Sequence, residues 1–272
     1  MTILRLKLLA AALLLSVAPA ASAVDAPSFA SDGKLVACID PTFPPLEFME
    51  NPEAKRPVGF DVDMLDALAE KWGVKAEFVL LEFSGLLPAL EARRCDIMAS
   101  GAVMNEERMQ KFSGAPYMNT GYIILGKSDT PDTFESYDDF SGQKVAVQAG
   151  SLLEKVLDKA NERLKADGKE VITIQPYPKA TDVIQQVLIG RVVGGTSLDT
   201  EFAFRDMQKP DELKVLFADP EKQQYTAYFR KEPAGDQAIV NATVRELIES
   251  GKMKEIGNRW NMLPDAFDGL GS

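Results

Sequence analysis

Short apolar runs alternate along this chain with segments in which apolar residues recur every three or four positions. The runs predict strands at residues 34–39, 76–80, 97–100, 144–147, 171–175, 192–196 and 225–229. The periodic segments predict helices at residues 61–72, 86–92, 105–111, 152–164, 181–189 and 236–250, with a last short one around 253–260. Strands that alternate with helices are typical of an α/β fold with a mainly parallel sheet.

The alternation runs through two cycles, of which the second starts after Gly121, and a closing segment follows. Two cycles predict two lobes, and a hinged pair of lobes can shut a cleft around a ligand. A single doubly wound sheet of the same size would give the same periodicity, so the pattern alone leaves both architectures open.

The first 23 residues have the pattern of a secretory signal peptide. Arg5 and Lys7 precede an apolar stretch at residues 8–17, and residues 21–23 read Ala-Ser-Ala, which fits a cleavage site. The apolar stretch is shorter than the roughly 20 residues of a membrane-spanning helix, although an uncleaved anchor is the alternative. We expect residues 1–23 to be removed on export and the remainder to be a soluble periplasmic protein.

Composition narrows the possible chemistry. Acidic residues number 41 and basic residues 30, so the formal net charge is −11 and nucleic acid is an unsuitable partner. The chain has no histidine, which excludes His-ligated metal sites, Ser-His-Asp triads and imidazole acid–base chemistry. Two cysteines would need carboxylates to complete a zinc centre. We therefore expect no metal and no other cofactor, and the composition points away from most enzymes.

The two cysteines lie in or beside predicted strands, and export would permit a disulfide between them. If those strands are parallel neighbours ending near Asp40 and Ser100, Cys38 is two residues from its strand end and Cys95 is five. That offset is roughly 10 Å at about 3.3 Å per residue, beyond the reach of a disulfide. We expect free thiols.

An ordered series of motifs is more specific than any of these patterns. The chain reads DPTFPPLEF at 40–48, GFDVDML at 59–65, FSGLLPAL at 83–90, CDIMASG at 95–101, ER at 107–108, FS at 112–113 and PY at 116–117. This series resembles the periplasmic amino-acid-binding proteins of ABC transporters, which include the histidine, glutamine and lysine/arginine/ornithine receptors. The similarity extends over about residues 35–260.

The resemblance implies a two-lobed periplasmic-binding-protein fold, in which each lobe is a mainly parallel sheet flanked by helices and the ligand cleft lies between the lobes. Lobe 1 would comprise residues 24–120 and 226–272, and lobe 2 residues 121–225. The chain would cross between them near 120–121 and 223–226. The partners implied are a small amino-acid-like ligand and a membrane permease, and the protein is expected to be a monomer.

Arg108 is the candidate anchor for the ligand carboxylate, because a guanidinium offers a planar bidentate fork and the family uses an arginine after the third strand. A solvated helix residue is the alternative, since Glu106, Glu107 and Arg108 form a run of charges. Backbone N–H groups near Ser100 and Gly101 would add donors, because glycine lets a ligand approach closely.

Other site residues follow from the same motifs. Phe43 and Phe83 match the aromatic walls of the family's pocket, where rings stack on a cation or an aliphatic stem, although core packing is the alternative. Asp40 ends the first strand and would meet a donor on the ligand, or else cap the turn that follows. From lobe 2, Gln148, Ser151 and the Leu152 backbone match the loop that contacts the ligand.

Two departures from the family bear on the ligand. Val103 stands where a hydroxyl is common, which removes a hydrogen bond to the carboxylate. Leu198 falls where the family has the aspartate that binds the α-ammonium, and Asp199 is one residue late. Either a bulge turns Asp199 into the cleft or the ammonium is bound otherwise. The ligand is then an α-amino acid, or a methylated amine, an opine or a cyclic imino compound.

The expected function is therefore a receptor without catalytic residues, which delivers its ligand to an ABC permease. The alternative is a periplasmic cyclohexadienyl (prephenate or arogenate) dehydratase, which has a similar fold and whose general acid would fall on Glu201. A buried carboxyl with a raised pKa could do such acid work, whereas a surface helix position could not. A receptor that feeds a chemosensor is a further option.

Overall fold

The computed structural model of the protein describes residues 25–131, 134–231 and 233–270. The strands in this part of the chain are β1 (Lys34–Ile39), β2 (Thr42–Phe43), β3 (Glu47–Phe48), β4 (Lys75–Leu80), β5 (Ile97–Met98), β6 (Phe112–Lys127), β7 (Lys144–Gln148), β8 (Thr173–Tyr177), β9 (Gly194–Leu198) and β10 (Leu213–Arg230). The α-helices are α1 (Phe60–Lys71), α2 (Phe83–Glu91), α3 (Glu106–Lys111), α4 (Leu152–Ala166), α5 (Ala180–Leu188), α6 (Asp199–Gln208), α7 (Ala234–Glu249) and α8 (Lys252–Arg259). The signal peptide predicted at 1–23 lies outside the described residues.

Eight of these strands form one sheet in the order β4-β1-β5-β10-β6-β9-β7-β8, and β2 pairs with β3 in a separate hairpin. At one end β1 lies parallel to both β4 and β5, and at the other β7 lies parallel to both β8 and β9. The long strands β6 and β10 are antiparallel and join the two ends. The predicted α/β fold with a mainly parallel sheet in each half is therefore confirmed, and the halves share a central antiparallel pair.

The predicted crossings fall inside that central pair. Thr120 pairs with Gln223 and Gly121 with Lys222, next to a break in the register between Ala218 and Lys222. The division of the chain at these points into residues 24–120 and 226–272 against 121–225 stays a prediction. Among the described residues, no helix has the length and hydrophobicity that a membrane span requires.

Helix α1 brings the motif at 59–65 against the proline-rich turn before it. Its N-cap, Gly59, has a φ of 134°, and a Cβ there would lie 2.1 Å from the Leu46 carbonyl oxygen, so only glycine allows this approach. The amide of Asp61 donates to that same carbonyl at 2.9 Å. These contacts hold the turn at the start of α1, so that β3, which contains Glu47, packs against the helix.

The two cysteines form a disulfide, which corrects the expectation of free thiols. The Cα atoms of Cys38 and Cys95 are 5.7 Å apart, although Cys38 pairs in register with Met98. The expectation failed because it extended β5 backwards as a straight strand. The strand begins only at Ile97, and the Asp96 amide continues its register by donating to the Val36 carbonyl at 2.7 Å, so the chain departs from a straight strand at Cys95.

Candidate functional site

A cavity lies where β1, β5 and β7 reach their carboxyl ends. Open α/β sheets place ligand sites at this edge. The structure brings eight of the nine predicted site residues to its wall. Those on the first half of the chain are Asp40, Phe43, Phe83, Ser100, Gly101 and Arg108, and those on the second are Gln148 and Ser151.

Arg108 reaches the cavity from α3 and is 9% exposed, so it is not a solvated helix residue. One guanidinium nitrogen donates to the Val103 carbonyl at 3.2 Å, and the group lies 5.8 Å from the ring centres of both Phe83 and Tyr228. Within the described part of the chain no carboxylate lies within 4 Å of it. A buried cation with aromatic neighbours and spare N–H donors is suited to an anionic ligand group.

Asp40 is the opposite charge in the same cavity. It is 2% exposed, and its carboxylate accepts a hydrogen bond from the Gln148 side chain at 2.8 Å. Burial raises the pKa of Asp40 to about 6, although hydrogen bonds from Thr42, Phe83 and Gln148 oppose the shift. The group is therefore mainly ionised at neutral pH and can accept from a cationic ligand.

The Gly101 amide, one of the backbone donors expected near Ser100 and Gly101, has another partner, so that part of the prediction needs correction. The Gly101 amide donates to Asp61 at 2.9 Å, away from the cavity. The Ser100 hydroxyl donates to Glu47 at 2.9 Å and accepts from the Asp40 amide at 2.9 Å. Both residues line the cavity, but these groups stabilise its wall.

Apolar groups form the remaining walls. Phe43 packs on Gly101, where an added Cβ would lie 2.8 Å from the Phe43 ring. Gly101 also has a φ of 57°, which glycine adopts without strain. Tyr122 and Leu198 line the cavity from β6 and β9. An apolar body of a ligand would therefore be desolvated between these walls.

The amino end of α4 closes the cavity from the second half of the chain. Ser151 is its N-cap, yet its side chain makes no capping hydrogen bond. The Ser151 hydroxyl oxygen is buried and has no hydrogen-bond partner among the described residues. A buried hydroxyl without a partner is uncommon and is available to a ligand.

Asp199 is not among the residues that line the cavity, so the first of the two alternatives, a bulge that turns Asp199 into the cleft, is wrong. β9 pairs in regular register with β6, Leu198 opposite Tyr122, so Leu198 is the residue at the cavity wall. Asp199 is the first residue of α6, and its carboxylate accepts from the Thr120 hydroxyl at 2.8 Å. Its side chain thus bonds to β6 beside Gly121, where a Cβ would lie 3.1 Å from its carboxylate.

Glu201, the acid of the enzymatic alternative, is also absent from the cavity lining. It is 1% exposed, in contrast to a surface helix residue. Its carboxylate accepts from the Ser197 hydroxyl and forms an ion pair with Arg205 at 2.8 Å. Burial raises the pKa of Glu201, while Arg205 and Ser197 lower it. The Glu201 carboxyl therefore bonds to neighbouring side chains and not to the cavity.

Three residues that line the cavity had no predicted role in it: Glu47, Tyr122 and Leu153. Glu47 carried a signal, because an acid between Leu46 and Phe48 in an apolar, proline-rich turn is unusual. Tyr122 follows the predicted crossing at Gly121, which was a second signal. Leu153 had none beyond its helical spacing.

The chain is similar to several known proteins. A family model described as bacterial extracellular solute-binding proteins, family 3, matches residues 35–262. The L-arginine-binding protein of Pseudomonas aeruginosa is 27% identical over 93% of this chain and 96% of its own length. The L-cystine-binding protein TcyJ of Escherichia coli is 26% identical over 84% and 82%.

Solved structures show the same similarity. A mutant of the arginine-binding protein ArgBP from T. maritima is 30% identical and superposes with a TM-score of 0.74, covering 85% of this chain and 96% of that one. The ancestral amino-acid-binding protein AncCDT-1, described as a precursor of cyclohexadienyl dehydratase, is 26% identical with a TM-score of 0.73, covering 84% and 96%.

Proposed function

The chain belongs to the bacterial extracellular solute-binding proteins of family 3, and from that premise we propose that it binds a free amino acid of zero net charge and delivers it to the permease of an ABC transporter. The observation that carries the ligand class is the balance of charge in the cavity. Arg108 supplies one buried cation and Asp40 one ionised carboxylate. The ligand carboxylate would bind Arg108 and the ammonium Asp40.

A charged ligand side chain would lack a charged partner once Arg108 and Asp40 bind the carboxylate and ammonium of the ligand. Leu198, Val103 and Phe43 present apolar surface, and the remaining carboxyl of the lining, Glu47, is fully buried, which favours its neutral form. Transferring an unpaired charge into such surroundings is costly. Although relatives bind arginine and cystine, an arginine side chain would bring a second cation to a site with one ionised carboxylate.

A thermal-shift screen of the protein against single L-amino acids tests this proposal. A ligand at 100 times its dissociation constant adds about 2.7 kcal/mol to the free energy of unfolding. For a chain of this size that raises Tm by roughly 5–11 °C. Amino acids with uncharged side chains should produce the shift, and arginine, lysine, aspartate and glutamate should not. A shift with arginine alone would contradict the charge balance, and no shift with any amino acid, opine or betaine would contradict amino-acid binding.

We expect the two halves of the sheet to act as lobes that close on the ligand. Contacts between the halves support closure: Gln148 with Asp40 at 2.8 Å, the Ala180 amide with Thr42 at 3.3 Å, and an ion pair between Lys155 and Glu107. These bonds would break in an open form. Small-angle scattering should give a smaller radius of gyration with the best amino acid of the screen than without it. An amino acid that leaves Tm unchanged is the control, and superimposable curves at saturation would argue against closure.

The proposal includes no catalysis. Glu201 bonds to Ser197 and Arg205 and does not line the cavity, which counts against the dehydratase alternative, and an assay of prephenate turnover tests that point. The periplasm is the proposed location and the monomer the proposed state. If the protein delivers its ligand in the closed form, the permease would contact both halves of the protein.

A further inference from the structure

Two carboxyl groups meet in the core beside the cavity. Glu47 on β3 and Asp61 on α1 are each fully buried. No lysine or arginine of the described residues forms an ion pair with either. Buried acids are rarely without a cation, because an isolated charge in the interior is costly.

Hydrogen bonds satisfy one oxygen of each acid. Asp61 accepts with one oxygen from the Gly101 amide at 2.9 Å and the Tyr117 hydroxyl at 2.8 Å. Glu47 accepts with one oxygen from the Ser100 hydroxyl at 2.9 Å. The other oxygens, Oδ1 of Asp61 and Oε2 of Glu47, are buried without a hydrogen-bond partner among the described residues, and each acid shifts the pKa of the other. Two ionised carboxylates could not bond to each other, since both only accept, whereas one shared proton would supply the missing donor.

We infer that Glu47 and Asp61 share one proton and that the proton-bridged pair positions Ser100 and Gly101 at the cavity wall. Glu47 carries the proton and donates it to Asp61. Asp61 remains the anion because it has three donors: the Gly101 amide, the Tyr117 hydroxyl and Glu47. Burial and the charge of Asp61 raise the pKa of Glu47 well above its ordinary value.

The pair affects the residues that would bind the ligand through two sets of contacts. Glu47 fixes the Ser100 hydroxyl, which accepts from the Asp40 amide. Asp61 fixes Gly101, on which Phe43 packs. A neutral Glu47 also keeps a second negative charge out of a cavity that it lines, so this inference rests on the proposed function for its effect on affinity.

Other titratable groups face the pair from the neighbouring elements. Asp40 follows β1 and its charge raises the pKa of Glu47. Tyr117 on β6 and Tyr225 on β10 have pKa values that burial raises well above the ordinary value. Arg108 lines the same cavity from α3. Because the pKa of Asp40 is about 6, Asp40 is ionised at pH 8, and measurements at that pH detect the shared proton without a contribution from Asp40.

Glu47→Gln and Asp61→Asn form a matched pair of variants. A glutamine amide reproduces the protonated acid, accepting from Ser100 and donating to Asp61, so Glu47→Gln should raise the dissociation constants of single L-amino acids with uncharged side chains far less than Asp61→Asn does. An asparagine at 61 still offers one oxygen to Gly101 and Tyr117, but it is a neutral and weaker acceptor, and it moves the buried charge to Glu47. These dissociation constants should then rise about tenfold or more, and the Gly101 amide should exchange its hydrogen faster.

Measurements without any ligand test the proton itself. Infrared spectra at pH 8 should show a protonated carboxyl band that shifts in D₂O and is missing in Glu47→Gln. Because the folded-state pKa of Glu47 lies above the unfolded value, the Tm of the wild type should fall as the pH rises above the ordinary range of a glutamate. In Glu47→Gln that fall should be shallower.

Two results would overturn the inference. If Asp61→Asn and Glu47→Gln both stabilise the protein, both acids are ionised and repel each other. If the infrared band persists in Glu47→Gln, the proton lies elsewhere. This infrared measurement tests the inference even if Asp61→Asn does not fold. Failure of all amino acids to bind would count against the proposed function, while the infrared and amide-exchange results would still confirm or reject the proton-bridged pair.

Discussion

Replacing Arg108 by alanine is expected to weaken binding of the ligand by roughly 2–5 kcal/mol, about 30-fold to a few thousand-fold in the dissociation constant. The reason is that the ligand carboxylate would lose its only buried cation while remaining in a desolvated cavity. Arg108→Lys should also weaken binding strongly, because an ammonium cannot reproduce the bidentate fork or its stacking on Phe83 and Tyr228.

Isothermal titration calorimetry with the best amino acid of the thermal screen measures the effect. Arg56→Ala is the matched control, since Arg56 also lies over a ring, that of Phe78, but its side chain is 51% exposed and pairs with Asp66. The control should leave the dissociation constant unchanged. Equal affinities for wild type and Arg108→Ala would show that the carboxylate binds elsewhere.

The elements with a clear period could be predicted from the sequence. β1 has the predicted bounds, and α1 and α4 differ by one or two residues, because their apolar positions are buried at the spacing that the pattern implies. β6 could not be predicted. It contains Gly114, Pro116 and Gly121, which normally interrupt strands. The register shifts at Tyr117, so a bulge accommodates the proline within a long central strand.

The site shows a similar division. Residues at strand ends were predictable, since parallel strands bring their carboxyl ends to one edge. Whether an individual side chain or amide faces the cavity could not be predicted. Whether Leu198 or Asp199 faced the cavity depended on the register of β9, and the Gly101 amide was committed to a carboxyl group 40 positions earlier. Tertiary packing determines such pairings, and a local sequence pattern does not indicate them.

Removing the disulfide is expected to cost about 4 kcal/mol of stability. Cys38 and Cys95 are 57 positions apart, and closing a loop of that length restricts the unfolded chain by about this free energy in the chain-entropy model. For a protein of this size, the Tm of Cys38→Ala/Cys95→Ala should fall by roughly 8–16 °C. Alanine is the appropriate replacement because both positions are buried in an apolar cluster, where a serine hydroxyl would lack partners.

Ligand affinity should respond much less than stability. β1 and β5 remain paired through Ala37 with Ile97, and the Asp40 amide remains bonded to Ser100, so the cavity edge is held without the disulfide. Thermal unfolding and calorimetry of the double variant separate the two effects. A reductant should lower the Tm of the wild type toward that of the variant and leave the variant unchanged. An unaltered wild-type Tm after verified reduction would show that the bond restricts an unfolded chain that is already compact there, and the entropic account would fail.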